Sequence, residues 1–192
     1  MQDLTNMIRA GKAGDQEAVG RLLELIYEDV RAIAGRARHV DRHGETLQPT
    51  ALANEVCLHF LKDFDAAAST DRTDREFFYR VIGMVMRTIL RDHWRSKNTA
   101  RRGGGEKPVV LPESMLKADD ESFSKIDYLA LDDAMSKLER FNETWYHVVL
   151  HRYYADRTLE ETADLMERSV RSIKTDWKLA RAWLHRELFG DK

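Results

Sequence analysis

The stretch Leu159-Glu160-Glu161-Thr162-Ala163-Asp164-Leu165-Met166, then Glu167-Arg168-Ser169, then Val170-Arg171-Ser172-Ile173-Lys174-Thr175-Asp176-Trp177-Lys178, decides how this chain reads. Its first eight residues form a short amphipathic pattern with the small Ala163 at its centre. A tight connection leads to Ser169, a side chain suited to accept the first free N–H groups of a helix. Beyond it, Val170, Ile173, Trp177, Ala180 and Leu184 recur at three- and four-residue steps and define one apolar side. The other side carries Arg171, Ser172, Lys174, Thr175, Lys178 and Arg181. A helix-turn-helix needs this division: the second helix packs its apolar stripe on the first and offers its polar face to the major groove. Arg and Lys supply base and phosphate contacts, and Ser and Thr reach phosphates or base edges. The same pattern also fits a helical hairpin with a solvated basic face.

Helical spacing extends upstream through most of the chain. Val19, Leu22, Leu23, Ile26, Val30 and Ile33 form one stripe, and Leu52, Val56, Cys57, Phe60 and Leu61 a second. Phe77, Phe78, Val81, Ile82, Val85, Ile89 and Leu90 form a third, and Tyr128 to Tyr153 a fourth that runs on through Trp145, Val148, Val149 and Arg152. Asp15 before Gln16-Glu17-Ala18 and Pro49-Thr50 before the second stripe read as helix starts. No alternating run of β-branched residues is long enough for a strand. The expected fold is all-α. The pattern stops at Gly103-Gly104-Gly105, and the stretch that follows is charged and poor in large apolar residues. It reads as a linker, which divides the chain into 1–102, a flexible acidic segment 103–127, and 128–192.

Composition limits what such a chain can be. It has 192 residues, 43% of them apolar, which suffices for two small cores. No apolar run approaches the length of a membrane span, and Met1-Gln2-Asp3-Leu4 lacks the basic-then-apolar start of a signal peptide. One cysteine, Cys57, excludes an internal disulfide and fits a reducing cytoplasm. The formal net charge of −2 conceals local extremes. Between Arg87 and Lys107 seven basic residues face Asp92 and Glu106, and between Arg168 and Arg186 six face Asp176. Between Glu113 and Asp133 seven acids face Lys117 and Lys125. Two basic patches around an acidic stretch suggest two polyanion contacts. Arg87, Arg91 and Arg95 lie four apart on one helix face, with His93 and Trp94 among them, which suits melted nucleic acid whose bases can stack.

Enzyme chemistry finds no foothold. His39 and His43, and His147 and His151, have a zinc-compatible spacing but no evident third ligand, so no metal is expected. Gly103-Gly104-Gly105-Glu106-Lys107 lacks the ending and the preceding strand of a phosphate loop. No nucleophile motif stands out, and no cofactor is implied.

Gly14-Asp15-Gln16-Glu17-Ala18, Asn54-Glu55-Val56-Cys57, Asp92-His93-Trp94-Arg95, Glu161-Thr162-Ala163, Ser172-Ile173-Lys174 and Ala180-Arg181, in that order, resemble the extracytoplasmic-function (ECF) sigma factors of bacterial RNA polymerase. The resemblance covers nearly the whole chain. It implies that the Thr50–Phe64 helix binds core RNA polymerase, with Thr50, Leu52, Asn54, Glu55, His59 and Lys62 in that interface. It implies that Arg87, Thr88, Arg91, Trp94 and Arg95 hold the melted downstream promoter element. Ser169, Arg171, Ser172, Lys174, Thr175 and Lys178 would read the upstream element as duplex. The acidic linker would thread toward the RNA exit path. An anti-sigma factor is one possible regulatory partner. The chain departs from the family pattern in three places. Thr88 stands where an Asn is usual. Glu167 replaces a turn Gly, which predicts a looser, less left-handed turn. Gln48-Pro49-Thr50-Ala51 holds none of the usual acids, which points to Thr50 as a site where a Ser/Thr protein kinase would restore negative charge. The alternative is an autonomous helix-turn-helix repressor or activator with an N-terminal interaction domain. Co-purification with core polymerase, against stable binding to duplex DNA alone, separates the two.

Overall fold

A computed structural model describes residues 2–37, 49–67, 75–100 and 128–190. Among these residues the ordered structure is helical, as the apolar spacing predicts. The helices are α1 (Gln2–Lys12), α2 (Gln16–Ala37), α3 (Pro49–Ala67), α4 (Arg75–Ala100), α5 (Tyr128–Phe141), α6 (Glu143–Val149), α7 (Leu159–Leu165) and α8 (Val170–Phe189). Spatial contacts divide the chain into two units, Met1–Met86 and Arg87–Lys192, with the division inside α4. The expected linker lies outside the described residues, as do His39 and His43.

In the first unit, α2 packs against α1 and α3. Leu22, Ile26 and Val30 of α2 are fully buried with Ala53, Val56 and Phe60 of α3. Phe60 stacks on Phe64 at 5.2 Å between ring centroids and meets Phe78 edge-on at 5.4 Å. The bend between α1 and α2 depends on Gly14, whose φ of +95° disfavours any side chain. Asp15 follows, and its Oδ1 accepts the N–H groups of Glu17 and Ala18 at 2.9 and 3.2 Å. The Gly14-Asp15 pair therefore has a local physical reason: one residue turns the chain and the next caps the helix.

In the second unit, α8 packs against α5, α6 and α7. Met135, Leu138, Val149, Ile173, Ala180 and Leu184 are buried there. Phe141 at the end of α5 stacks on Trp183 at 5.4 Å. The sequence spacing runs unbroken from Trp145 to Tyr153, but the structure does not. Helix α6 ends at Val149 and widens into a π turn over Leu150–Tyr154. The Ala155 N–H donates to the Leu150 carbonyl at 2.9 Å, five residues back. The wider turn leaves His151, Tyr153 and Tyr154 all buried. The buried Tyr153 hydroxyl has its pKa pushed well up by desolvation and by the neighbouring Tyr154. Thr158 then starts α7 with a capping box: its Oγ1 accepts from the Glu161 N–H at 3.1 Å, and the Glu161 carboxylate accepts from the Thr158 N–H at 2.7 Å.

Candidate nucleic-acid and polymerase interfaces

Helices α7 and α8 are joined by Met166–Ser169, as the sequence places them. Glu167 has φ +51°, so the turn is left-handed despite the missing glycine. This corrects the expectation of a looser, less left-handed turn. Two backbone bonds over-determine it, Glu167 N–H to Asp164 O at 3.3 Å and Arg168 N–H to Ala163 O at 2.9 Å. They offset a backbone cost of about 1–2 kcal/mol for a side chain in that region. Ser169 caps α8, its Oγ accepting from the Ser172 N–H at 3.1 Å.

On α8 the two faces are cleanly separated. Ile173 and Ala180 are fully buried and Trp177 is 8% exposed. Arg171, Lys174, Thr175 and Lys178 are all exposed and fall within roughly a 100° arc of the helix at 3.6 residues per turn. Ser172 is half-buried at the margin of that arc, and Ser169 is exposed. Thr175 Oγ1 donates to the Arg171 carbonyl at 3.0 Å. The helix is held from behind by a residue that sequence reasoning did not single out. Asp176 accepts from the Trp145 indole N–H at 3.3 Å and pairs with Arg168 from the turn. That network ties α6, the turn and α8 together, and leaves the arc of Arg171 and Lys178 facing solvent.

The arginines of α4 are not equivalent. Arg95 is exposed, and Arg91 is half-buried and paired with the adjacent Asp92 at 3.1 Å. Thr88 is half-buried, and the side chains of His93 and Trp94 lie outside the described residues. Arg87 is 9% exposed and bonded on several sides within the second unit. Its Nε donates to Asp132 Oδ1 at 2.7 Å, one terminal nitrogen to Tyr146 Oη at 3.2 Å, and the other to the Asp132 carbonyl and Ser136 Oγ at 2.8 and 2.6 Å. Burial alone would lower the Arg87 pKa, but Tyr154, Asp132 and Tyr146 more than offset it and the pKa lies above its usual value. The guanidinium is held charged and engaged inside the fold. Sequence spacing showed that Arg87, Arg91 and Arg95 sit four apart; it could not show that a carboxylate 45 residues on takes the first of them.

On α3, Thr50, Asn54, Glu55 and Lys62 are exposed and His59 is half-buried. Leu52 is 3% exposed and belongs to the core with Val56 and Phe60. Leu58, 61% exposed, shares the outward face and was not among the expected contacts. No acid occupies the first turn of α3. Cys57 is half-buried, its Sγ donating to the Leu23 carbonyl at 3.7 Å, and burial pushes its thiol pKa up. It lines a cleft of about 270 Å³ together with Leu23, Glu24, Tyr27 and Glu28 of α2.

His151 is buried in the π turn, and His147 lies 4.0 Å from Glu143. Among the described residues, no group of three or more candidate ligands is placed to hold a metal, and no helix is long and apolar enough to cross a membrane.

The described residues thus form helices in two units, the second with a helical hairpin that presents a basic, hydroxyl-bearing face. The family model described as ECF sigma factor matches residues 1–190, and the chain belongs to that family. Its role is that of a sigma factor in transcription initiation. ECF sigma factors bind core RNA polymerase and promoter DNA, and are often regulated by anti-sigma factors. Among curated proteins, none matches the chain.

Proposed function

We propose that the protein directs core polymerase to a set of promoters by reading the upstream element as duplex with α8 and holding the melted downstream element with the C-terminal part of α4. The observation that carries the first half is the separation of faces on α8: Ile173, Trp177 and Ala180 in the core, and Arg171, Lys174, Thr175 and Lys178 together in solvent. Guanidinium and ammonium groups there suit base edges and phosphates of the major groove. For α4, Arg91 and Arg95 are the residues proposed to meet the melted strand, with Arg87 engaged internally. Transcription from a promoter library, with and without added core polymerase, tests the proposal. Selective initiation that needs the polymerase supports it, and stable sequence-specific binding to duplex by the chain alone, without initiation, favours the autonomous regulator.

The polymerase-binding surface is proposed to be the exposed side of α3, with Thr50, Asn54, Glu55 and Lys62. Thr50 is exposed in the first turn of a helix that begins at Pro49 and has no acid there. A phosphate on Thr50 would place about −1.5 to −2 charges beside the positive end of the α3 dipole, with acceptor oxygens for basic groups of the polymerase. A Ser/Thr kinase is therefore proposed as the activating partner. The comparison is core-polymerase affinity for wild type, Thr50→Ala, Thr50→Glu and kinase-treated protein. Tighter binding by the last two supports the switch. Equal, tight binding by unmodified wild type and Thr50→Ala removes it, and directs attention to Glu24 and Glu28, the exposed carboxylates on α2 at the cleft beside α3.

A further inference from the structure

The cations of α8 and the cation of the turn before it are treated differently. Arg171, Lys174 and Lys178 are exposed, and among the described residues no carboxylate lies within ion-pair distance of them. Arg168, one residue before the Ser169 cap, has one: a terminal nitrogen of its guanidinium donates to Asp176 Oδ2. The other carboxylate oxygen accepts from the Trp145 indole N–H at 3.3 Å. With 3.6 residues per turn, Asp176 sits about 140° around α8 from Arg171 and about 160° from Lys174 and Lys178. The ion pair therefore draws the Arg168 guanidinium to the flank of α8 that faces α6, away from the basic arc. The Arg168 backbone is fixed independently, by the bond from its N–H to the Ala163 carbonyl at 2.9 Å. Only the side chain has a choice of direction, and 37% of it remains in solvent.

We propose that Asp176 is a positioning residue that withholds Arg168 from the upstream-element duplex, and so limits the part of duplex binding that is blind to sequence. The proposal rests on the reading of α8 as the duplex-reading helix and concerns a contact that the chain suppresses. An exposed ion pair by itself holds a side chain weakly, because two flexible groups must be ordered to make it. Here the Trp145 indole already orients the carboxylate, so Arg168 alone is left to order. The Asp176 side chain is only 15% exposed, which reduces screening of the pair by salt. Arg87 in the same unit is the contrast. It is buried, and its carboxylate partner answers the cost of desolvating a guanidinium. Arg168 is exposed and has no such cost to offset. A carboxylate set against it decides instead where its charge points. A guanidinium at the entry to α8 that reached a phosphodiester would tighten promoter and non-promoter duplex alike, since phosphate contacts carry no sequence information. Non-promoter sites vastly outnumber promoters, so one phosphate contact fewer shortens residence at sites where transcription does not start.

The test uses the full chain assembled with core polymerase, one duplex carrying the upstream element and one in which that element is scrambled. Affinity for both is measured against salt for wild type, Asp176→Asn, Arg168→Gln and the double variant. Asparagine keeps an oxygen for the Trp145 indole and removes the charge that holds Arg168. Asp176→Asn should steepen the slope of log K against log salt by about 1 on both duplexes. It should bind both several-fold more tightly at low salt and leave the ranking of upstream sequences unchanged. Arg168→Gln should keep the wild-type slope, because it deletes a cation that the duplex does not meet. The double variant should return the slope to that of wild type, which assigns the gain to Arg168 and not to the lost charge of Asp176. If Asp176→Asn does not fold, Asp176→Gln makes the same measurement with a longer neutral side chain. A folded neutral variant that binds with the wild-type slope, or more weakly, overturns the proposal and leaves Asp176 as a tie between α6, the turn and α8. A slope that falls by about 1 in Arg168→Gln overturns it as well, since Arg168 then already meets a phosphate. So does a gain that persists in the double variant. Arg171→Ala and Lys178→Ala run alongside. If both bind the promoter duplex as wild type does, the reading of α8 has failed and takes the proposal with it. If they weaken binding while the neutral Asp176 variants leave the slope unchanged, the withholding of Arg168 alone has failed.

Discussion

Helix α4 spaces Arg87, Arg91 and Arg95 four residues apart, and helix α8 spaces Arg171, Lys174 and Lys178 three and four apart. On paper these are the same basic face. In the fold they separate. On α8 the apolar and basic arcs are opposite each other, so every cation of the stripe stays in water while Ile173 and Ala180 reach full burial. On α4 a second side of the helix is covered as well: Gly83 is buried and Arg87 is 9% exposed. Desolvating a guanidinium is costly unless its donors are met, and Asp132, Ser136 and Tyr146 meet them. Periodicity says which residues share a face, and only the neighbours of that face decide whether its charges are for a partner or for the fold.

The largest effect that would break this contrast comes from Asp132. Asp132→Ala leaves the Arg87 guanidinium buried without its carboxylate and should cost about 3–5 kcal/mol, read as a shift in the urea midpoint of the full chain. Arg87→Met combined with Asp132→Leu should recover most of that loss, since no uncompensated charge remains. By contrast, Arg91→Ala with Arg95→Ala should stay within about 0.5 kcal/mol of wild type in stability, as surface changes do, while reducing permanganate reactivity of the melted promoter strand. If Asp132→Ala is as mild as the double surface variant, Arg87 is not a structural cation and returns to the set that meets DNA.

The limits of sequence reading follow from the same pair of helices. The hairpin was legible to within a residue: the pattern Leu159–Met166 and Val170–Leu188 became helices Leu159–Leu165 and Val170–Phe189, because amphipathic spacing, Thr158 and Ser169 all act locally. The Asp15 and Ser169 caps were legible for the same reason. What is built from distant partners was not. Asp132 enters the charge count only as one of seven acids between Glu113 and Asp133, yet it sits on α5 beside buried Leu131 and Met135 and neutralises Arg87. An acid on an otherwise apolar stripe was the available signal. Leu58 on α3 was not singled out for a related reason: it and Leu52 are leucines of one helix, and only packing puts Leu52 inside and leaves Leu58 61% exposed. The π turn was invisible because it changes bond partners by one residue without disturbing the apolar order.

A middle-sized effect sharpens the α8 side of the comparison. Under the proposed reading, Arg171 makes a bidentate contact with one base. Arg171→Ala should then cost about 1–3 kcal/mol and relax preference at a single base position. Lys178→Ala should weaken binding evenly across sequences. Both are readable from one selection on a randomised upstream element. An unchanged sequence profile for Arg171→Ala would reduce the exposed stripe of α8 to a solvated surface, and its likeness to the surface residues of α4 would then be complete.

The smallest expected effect concerns Ser169, where stability and binding meet in one hydroxyl. Ser169 Oγ accepts the Ser172 N–H and lies 2.9 Å from Ser172 Oγ. Only one of these two hydroxyls donates to the other, so the pair retains one O–H for an outside acceptor. As a cap, Ser169→Ala should cost about 1 kcal/mol of stability, and Ser169→Gly only a few tenths. Glycine thus keeps the helix start while deleting the hydroxyl, which makes it the informative variant. Loss of one neutral hydrogen bond is worth about 0.5–1.5 kcal/mol, so Ser169→Gly should hold its thermal midpoint near wild type and weaken promoter-duplex binding several-fold. Equal weakening across all duplex sequences would place that O–H on a phosphate, and weakening confined to one base position would place it on a base edge. If Ser169→Gly binds as wild type does while Ser169→Ala loses only stability, Ser169 is a cap alone and the DNA-facing set of α8 begins at Arg171.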